Sequence, residues 1–256
     1  MSIDTAAPFR LDGRTAIVTG ASSGLGDRFA RVLHGAGANV VVAARRADRL
    51  DQLVSELHGA VAVPCDVSVD ADLVRLVETT LDRFGRLDVL VNNAGITHVV
   101  PALQETRQQF EEVIDVNLVG AWRLAQLAAS PMIEAARGVI VNVASVLGMV
   151  GVGQIPQSGY TASKAGLIGL TRELAAQWAR QGVRVNAIAP GWFASEMTED
   201  MTTDEDAGLR WIRGRAPMGR PGLVEELDGA LLFLASDASS YVTGHTIAVD
   251  GGWTIV

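Results

Sequence analysis

The 256-residue sequence carries a formal net charge of -8, with 48% of its residues hydrophobic and 20% charged. That balance supports a large buried core and is too poor in charge for a disordered chain, while the acidic excess, with no basic cluster beyond Arg45 and Arg46, excludes a nucleic-acid partner. The start of the chain lacks the basic and apolar runs of a signal peptide, no stretch reaches roughly 18 uncharged apolar residues, and the lone Cys65 has no internal disulfide partner; a cytoplasmic protein without membrane contact is expected.

In chain order, Thr15 to Thr19 reads as a strand, followed by a helix opening near Gly24. Asn39 to Ala44 is a second strand and Asp48 to Leu57 a helix; Val61 to Val63 is a third strand and Val69 to Phe84 a helix. Then come a strand at Leu87 to Val91, a helical region from about Thr106 to Ala136, a strand at Val139 to Val143, a helix from Tyr160 to Arg180 and a strand at Val183 to Ile188. Strands of consecutive apolar residues are buried on both faces, and their alternation with helices implies right-handed parallel crossovers. The expected fold is therefore α/β: one Rossmann-like domain over 1–256, a doubly wound parallel sheet with helices on both faces. The irregular stretch from Gly191 to Pro221 reads as a substrate lid.

Between the first strand and its helix stands Thr19-Gly20-Ala21-Ser22-Ser23-Gly24-Leu25-Gly26. Glycines there allow a tight turn and close backbone approach, and the free N–H groups of a helix start attract a pyrophosphate. The same letters also spell G-x-S-x-G, a hydrolase nucleophile elbow at Ser22, with Asp237 and His245 following in order. That alternative places the nucleophile unusually early and leaves the later motifs unexplained. Tyr160 and Lys164 stand i, i+4 on a helix and share one face; an adjacent ammonium stabilises a phenolate whose ordinary pKa near 10 makes it a poor base. Ser145 ends a strand, where it can donate to an oxygen gaining negative charge. Asn117 sits in a helical pattern that asparagine disfavours. His34, His58, His98 and His245 lack metal-ligand spacing, so no metal is expected.

Together with Asp66-Val67, Asn92-Asn93-Ala94-Gly95, Pro190-Gly191 and Val249-Asp250-Gly251-Gly252, these motifs resemble the classical short-chain dehydrogenase/reductase family along nearly the whole chain. The resemblance implies hydride transfer between a nicotinamide cofactor and a carbonyl or secondary alcohol, 3-oxoacyl groups and aryl ketones among the candidates. It implies a catalytic tetrad of Asn117, Ser145, Tyr160 and Lys164, with Tyr160 as acid/base and Asn117 anchoring a water that relays protons to Lys164. Cofactor contacts are expected from Gly20, Ser22, Ser23, Gly24, Leu25, Gly26, Asp66, Val67, Asn92, Ala94, Gly95, Tyr160, Lys164, Pro190, Gly191 and Ser195, the last in place of the family's usual threonine. A nonenzymatic dinucleotide sensor on the same fold is the alternative, and it needs neither Tyr160 nor Ser145.

Cofactor choice turns on the end of the second strand, where an acidic residue would hold the 2'-hydroxyl of NAD. Ala44 stands there, followed by Arg45, whose forked guanidinium suits a 2'-phosphate, with Arg46 assisting. NADP(H) is expected, with NAD(H) as the alternative, since Ser23 occupies a place that is often basic in NADP-preferring relatives. A homotetramer is expected from the resemblance, from the small residues Ala162, Ser163, Ala165, Gly166 and Gly169, and from the apolar segment Ile247 to Val256.

Overall fold

The computed structural model describes residues 4–193 and 207–256. Seven parallel strands, β1 (Thr15–Thr19), β2 (Asn39–Ala44), β3 (Val61–Pro64), β4 (Val89–Asn92), β5 (Gly138–Val143), β6 (Val183–Pro190) and β7 (Thr246–Val249), lie in the order β3-β2-β1-β4-β5-β6-β7. Alternate residues feed opposite cores, as the pleat requires. From β1, Ala16 and Val18 enter one layer with Phe29 and Leu33 of α1 (Gly24–Gly35), Leu50 of α2 (Ala47–Glu56) and Leu231 of the late helix Asp228–Ala235. Ile17 enters the other, with Leu73 of α3 (Asp70–Phe84), Leu124 of α5 (Ala121–Glu134) and Leu174 of α6 (Ser158–Trp178). Each such fully buried leucine or phenylalanine stabilises the fold by roughly 1.5–3 kcal/mol. The expected doubly wound sheet is thus present.

The expected helix from 106 to 136 is one rod with a changed pitch in the middle. Thr106 opens α4 (Arg107–Ile114) with a reciprocal capping box to Gln109, six residues, Asp115–Gly120, form a π-helical turn, and α5 continues from Ala121. A further helix, α7 (Ala207–Arg215), lies inside the expected lid, and Asp228–Ala235, here α8, and β7 follow it. Neither α8 nor β7 stands out in the sequence. Residues 194–206 of the expected lid lie outside the described residues; beside them Phe193 pairs with Gly222, and Trp192, Trp211 and Trp253 pack edge to face with centroids 4.8–5.5 Å apart.

Strand order reverses between β1 and β4, so the loops leaving these two strands diverge and open a crevice at the carboxyl edge of the sheet. The Thr19 side chain ties its two lips together, accepting from the backbone N–H groups of Asn93 (3.0 Å) and Ala94 (3.1 Å).

Candidate active site

The crevice is a cleft of about 500 Å³ bounded by the glycine turn, the ends of β2 to β6 and the first turns of α6. Gly20 (φ +65°) and Gly24 (φ +55°) adopt left-handed backbone that suits glycine. A Cβ on Gly20 would also stand 2.9 Å from the Ala94 Cα. Ser23 precedes α1 without capping it by its side chain, so the positive end of that helix faces the cleft. Arg46 lies across the turn, donating from Nη2 to Ser22 Oγ (3.0 Å) and Ser23 Oγ (2.7 Å). Arg45 borders the same cleft and faces Asp66, whose carboxyl is held below its usual range mainly by the Ser68 hydroxyl and also by Arg45. Uncapped N–H groups beside two guanidiniums can receive phosphate groups.

The groups expected to react stand at the other end. Ser145, extended at the close of β5, is held by the Leu147 N–H, which donates to its Oγ (3.1 Å). Lys164 is 4% exposed, its Nζ donating to the Val143 carbonyl (2.7 Å) and lying 5.5 Å from the Tyr160 ring centre. Burial pulls this ammonium down to about 8, because a low-dielectric surrounding disfavours the charged form. Burial pushes the Tyr160 phenol up, and hydrogen bonding with Ser145 pulls it back.

Asn117 lies in the π-helical turn, a departure from regular helix common at functional sites. Its Oδ1 accepts from the Ile96 N–H (2.8 Å), and its Nδ2 donates to the Ile96 carbonyl (2.9 Å) and to Ser163 Oγ (3.0 Å). Ser163 in turn donates to the Tyr160 carbonyl (2.7 Å). The Asn117 side chain is therefore behind Tyr160 and Lys164, clamping the loop after β4 to α6.

Of the expected contacts, Gly20, Ser22, Ser23, Gly24, Leu25, Arg45, Arg46, Asp66, Val67, Ala94, Gly95, Ser145, Tyr160, Lys164, Pro190 and Gly191 all border the cleft. Asn92 requires correction: its side chain is buried and donates to Asn142 Oδ1 and the Ala121 carbonyl, both 3.0 Å away. Adjacent strand residues face opposite sides, and it is Asn93 that borders the cleft. Gly26 serves packing, since any side chain there would run into the Gly20 carbonyl. Ser195 lies outside the described residues. Cys65, Ile96 and Val116 border the cleft without having been anticipated, and Phe193 of the expected lid borders it too. At the Ser22 elbow, no hydrogen bond among the described residues joins Ser22, Asp237 and His245; Asp237 accepts from Arg14 and Arg137 instead. Among the described residues, no group of His, Cys, Asp and Glu side chains can hold a metal, and no helix is long and apolar enough to cross a membrane.

One side chain outside the cleft shapes it. Glu105 accepts from the Gly159 N–H (3.1 Å) and from Ser158 Oγ, seating the first turn of α6 just before Tyr160. Glu105→Ala is expected to lower kcat about tenfold, on the order of 1.4 kcal/mol, with dinucleotide affinity retained. Glu105→Gln, which keeps an acceptor oxygen, should recover most of that loss in steady-state kinetics.

The family model described as Enoyl-(Acyl carrier protein) reductase matches residues 20–254. The 3-oxoacyl-(acyl-carrier-protein) reductase of Thermotoga maritima is 40% identical over 250 residues, covering 96% of this chain and 100% of the relative. Galactitol 2-dehydrogenase (L-tagatose-forming) of Cereibacter sphaeroides is 40% identical over 255 residues, 99% and 100% of the two chains. Among solved structures, a gluconate 5-dehydrogenase from Burkholderia cenocepacia J2315, in complex with NADP and tartrate, superposes with a TM-score of 0.91 at 36% identity, covering 97% of this chain and 98% of that one. The chain belongs to the short-chain dehydrogenase/reductase family. It is an NAD(P)(H)-dependent oxidoreductase of that family, acting on a carbonyl or alcohol.

Proposed function

We propose that this enzyme is an NADP(H)-linked carbonyl reductase or alcohol dehydrogenase with Tyr160 as its acid/base. The observation that carries the cofactor reading is Arg46 lying across Ser22 and Ser23, beside Arg45 and with no acid at the end of β2. The uncapped first turn of α1 would hold the pyrophosphate, Arg46 with Arg45 the 2'-phosphate, Asp66 and Val67 the adenine, and Pro190 with Gly191 the nicotinamide end. NAD(H) remains the alternative ligand of the same cleft. Arg45, on the same cleft, shares this role with Arg46.

When bound, the nicotinamide supplies or accepts the hydride. In the reducing direction the Tyr160 hydroxyl gives its proton to the substrate oxygen while Ser145 donates a hydrogen bond to the same oxygen. The Lys164 ammonium stabilises the resulting phenolate by its charge. Asn117 and Ser163 fix the loop and helix that carry these groups. Tyr160 packs against an apolar cluster that includes Leu147, Val152, Trp192 and Trp253, a wall that suits a ketone or aldehyde with apolar bulk, such as a 3-oxoacyl or aryl ketone. The segment 191–221 is proposed as its lid.

A homotetramer in the cytoplasm completes the reading. Phe110, Val119 and Trp122 on the α4–α5 rod and Tyr241, Ile255 and Val256 near the end of the chain are exposed apolar side chains. Of the small α6 residues, only Ala162, Ala165 and Gly169 face outward; Ser163 is buried and Gly166 packs on Leu118 of the same chain. A monomeric mass by light scattering at micromolar concentration would count against assembly.

Losing a charge-assisted phosphate contact costs roughly 1.5–3 kcal/mol. Arg46→Ala should therefore weaken NADPH binding about ten- to a hundredfold with NADH nearly unchanged. Titration of wild type and variant with both nucleotides checks this, and equal losses for the two would defeat the assignment. Wild-type turnover of a carbonyl panel, followed by NADPH absorbance, tests the substrate class.

A further inference from the structure

Of the 21 lysines and arginines in the sequence, all but Lys164 are arginine. Guanidiniums stay protonated in proteins and are not nucleophiles at neutral pH. The one thiol, Cys65, also borders the cleft, but burial pushes it up to about 12, which keeps it protonated and inert. Every side-chain amine in the chain is therefore one group, and it sits at the reaction centre.

That amine is reached through the cleft. Lys164 borders it together with Ser145, Tyr160 and Gly95, and is otherwise enclosed. Gly95 lies beside the amine, with the position of its absent Cβ 3.5 Å from Nζ and 3.3 Å from Asn117 Oδ1. Among the described residues Nζ donates one hydrogen bond, to the Val143 carbonyl, which leaves the nitrogen able to react once it is neutral. Deprotonation near pH 8 supplies that form in mildly alkaline solution.

We propose that Lys164 is an acylation site, that small activated acyl donors such as acyl phosphates and short acyl thioesters switch the enzyme off there, and that dinucleotide in the cleft protects it. The neutral Nζ attacks the acyl carbonyl carbon and an N–C bond forms. The C–O or C–S bond breaks, phosphate or thiolate leaves with the electron pair, and one nitrogen-bound proton passes to solvent. Nothing is oxidised or reduced. The product amide carries no positive charge and cannot stabilise the Tyr160 phenolate. This switch rests on the role of Lys164 proposed above, whereas the protection rests on the shape of the cleft.

The test treats the full chain with acetyl phosphate at pH 8, with and without NADP+, and follows intact mass, peptide mapping and residual activity; Lys164→Arg serves as the mapping control. Side-chain acetylation should be confined to Lys164, should advance in step with the loss of activity, and should slow about 100-fold with NADP+ at 100 times its Kd. Acetylation of the α-amino terminus alone, with activity intact, would overturn the proposal, as would equal labelling of Lys164 with and without NADP+. If Lys164 were labelled and the enzyme stayed fully active, both the switch and the catalytic role of Lys164 would fall. A dead Tyr160→Phe variant alongside an unlabelled Lys164 would remove the switch only.

Discussion

Tyr160→Phe should bind dinucleotide with near-native affinity and lose about 10²- to 10⁴-fold in kcat, the range that positioned proton transfer contributes. The substitution deletes one oxygen and leaves the residue packed against the same apolar cluster, so folding and cleft shape should be preserved. Equal falls in kcat and kcat/KM would mark a contact made only in the transition state. Stopped-flow binding and steady-state turnover measure the two halves, and near-native turnover would end the acid/base assignment.

The second large effect is on stability, and it comes from burying Lys164. Its ammonium holds a proton up to about 10.5 in the unfolded chain and up to about 8 in the folded one. Between those values the unfolded state binds more protons, so stability rises with pH across that window. Below about pH 8 the whole cost of the buried ammonium is present; the fall from 10.5 to about 8 corresponds to about 3 kcal/mol. Lys164→Met should thus be the more stable protein at pH 7, with its advantage shrinking as pH approaches 10. Urea unfolding of both proteins without dinucleotide, at pH 7, 8, 9 and 10, reads the difference. A gap that did not change with pH would show that the lysine is not buried as an unwelcome charge.

Much of this site was legible before any coordinates. β1 and β2 fall on the residues read from the sequence, Thr15–Thr19 and Asn39–Ala44, because uninterrupted apolar strands next to glycine and arginine turns have sharp edges. The i, i+4 spacing likewise placed Tyr160 and Lys164 together. One pair of neighbours was harder: Asn92 and Asn93 differ only in which way each residue points as the strand ends. That direction is fixed by partners distant in sequence, Asn142 and Ala121 for Asn92. Ser163 gave no signal, since a serine on an apparent outer face looks like surface until Asn117 is seen donating to it. α8 was hidden for the opposite reason: Gly229-Ala230-Leu231-Leu232-Phe233-Leu234-Ala235 is apolar on every side and has no helical stripe to read. β7 is a four-residue edge strand, too short for a period.

The π-helical turn brings an outer surface close to the cleft. Within Asp115–Gly120, Val119 points outward while Asn117 and Leu118 grip α6 through Ser163 and Gly166. Single π-turns inside α-helices occur frequently at functional sites. Here one turn has two faces: the exposed apolar side chain of Val119 on one, and on the other the clamp that seats the helix carrying Tyr160 and Lys164.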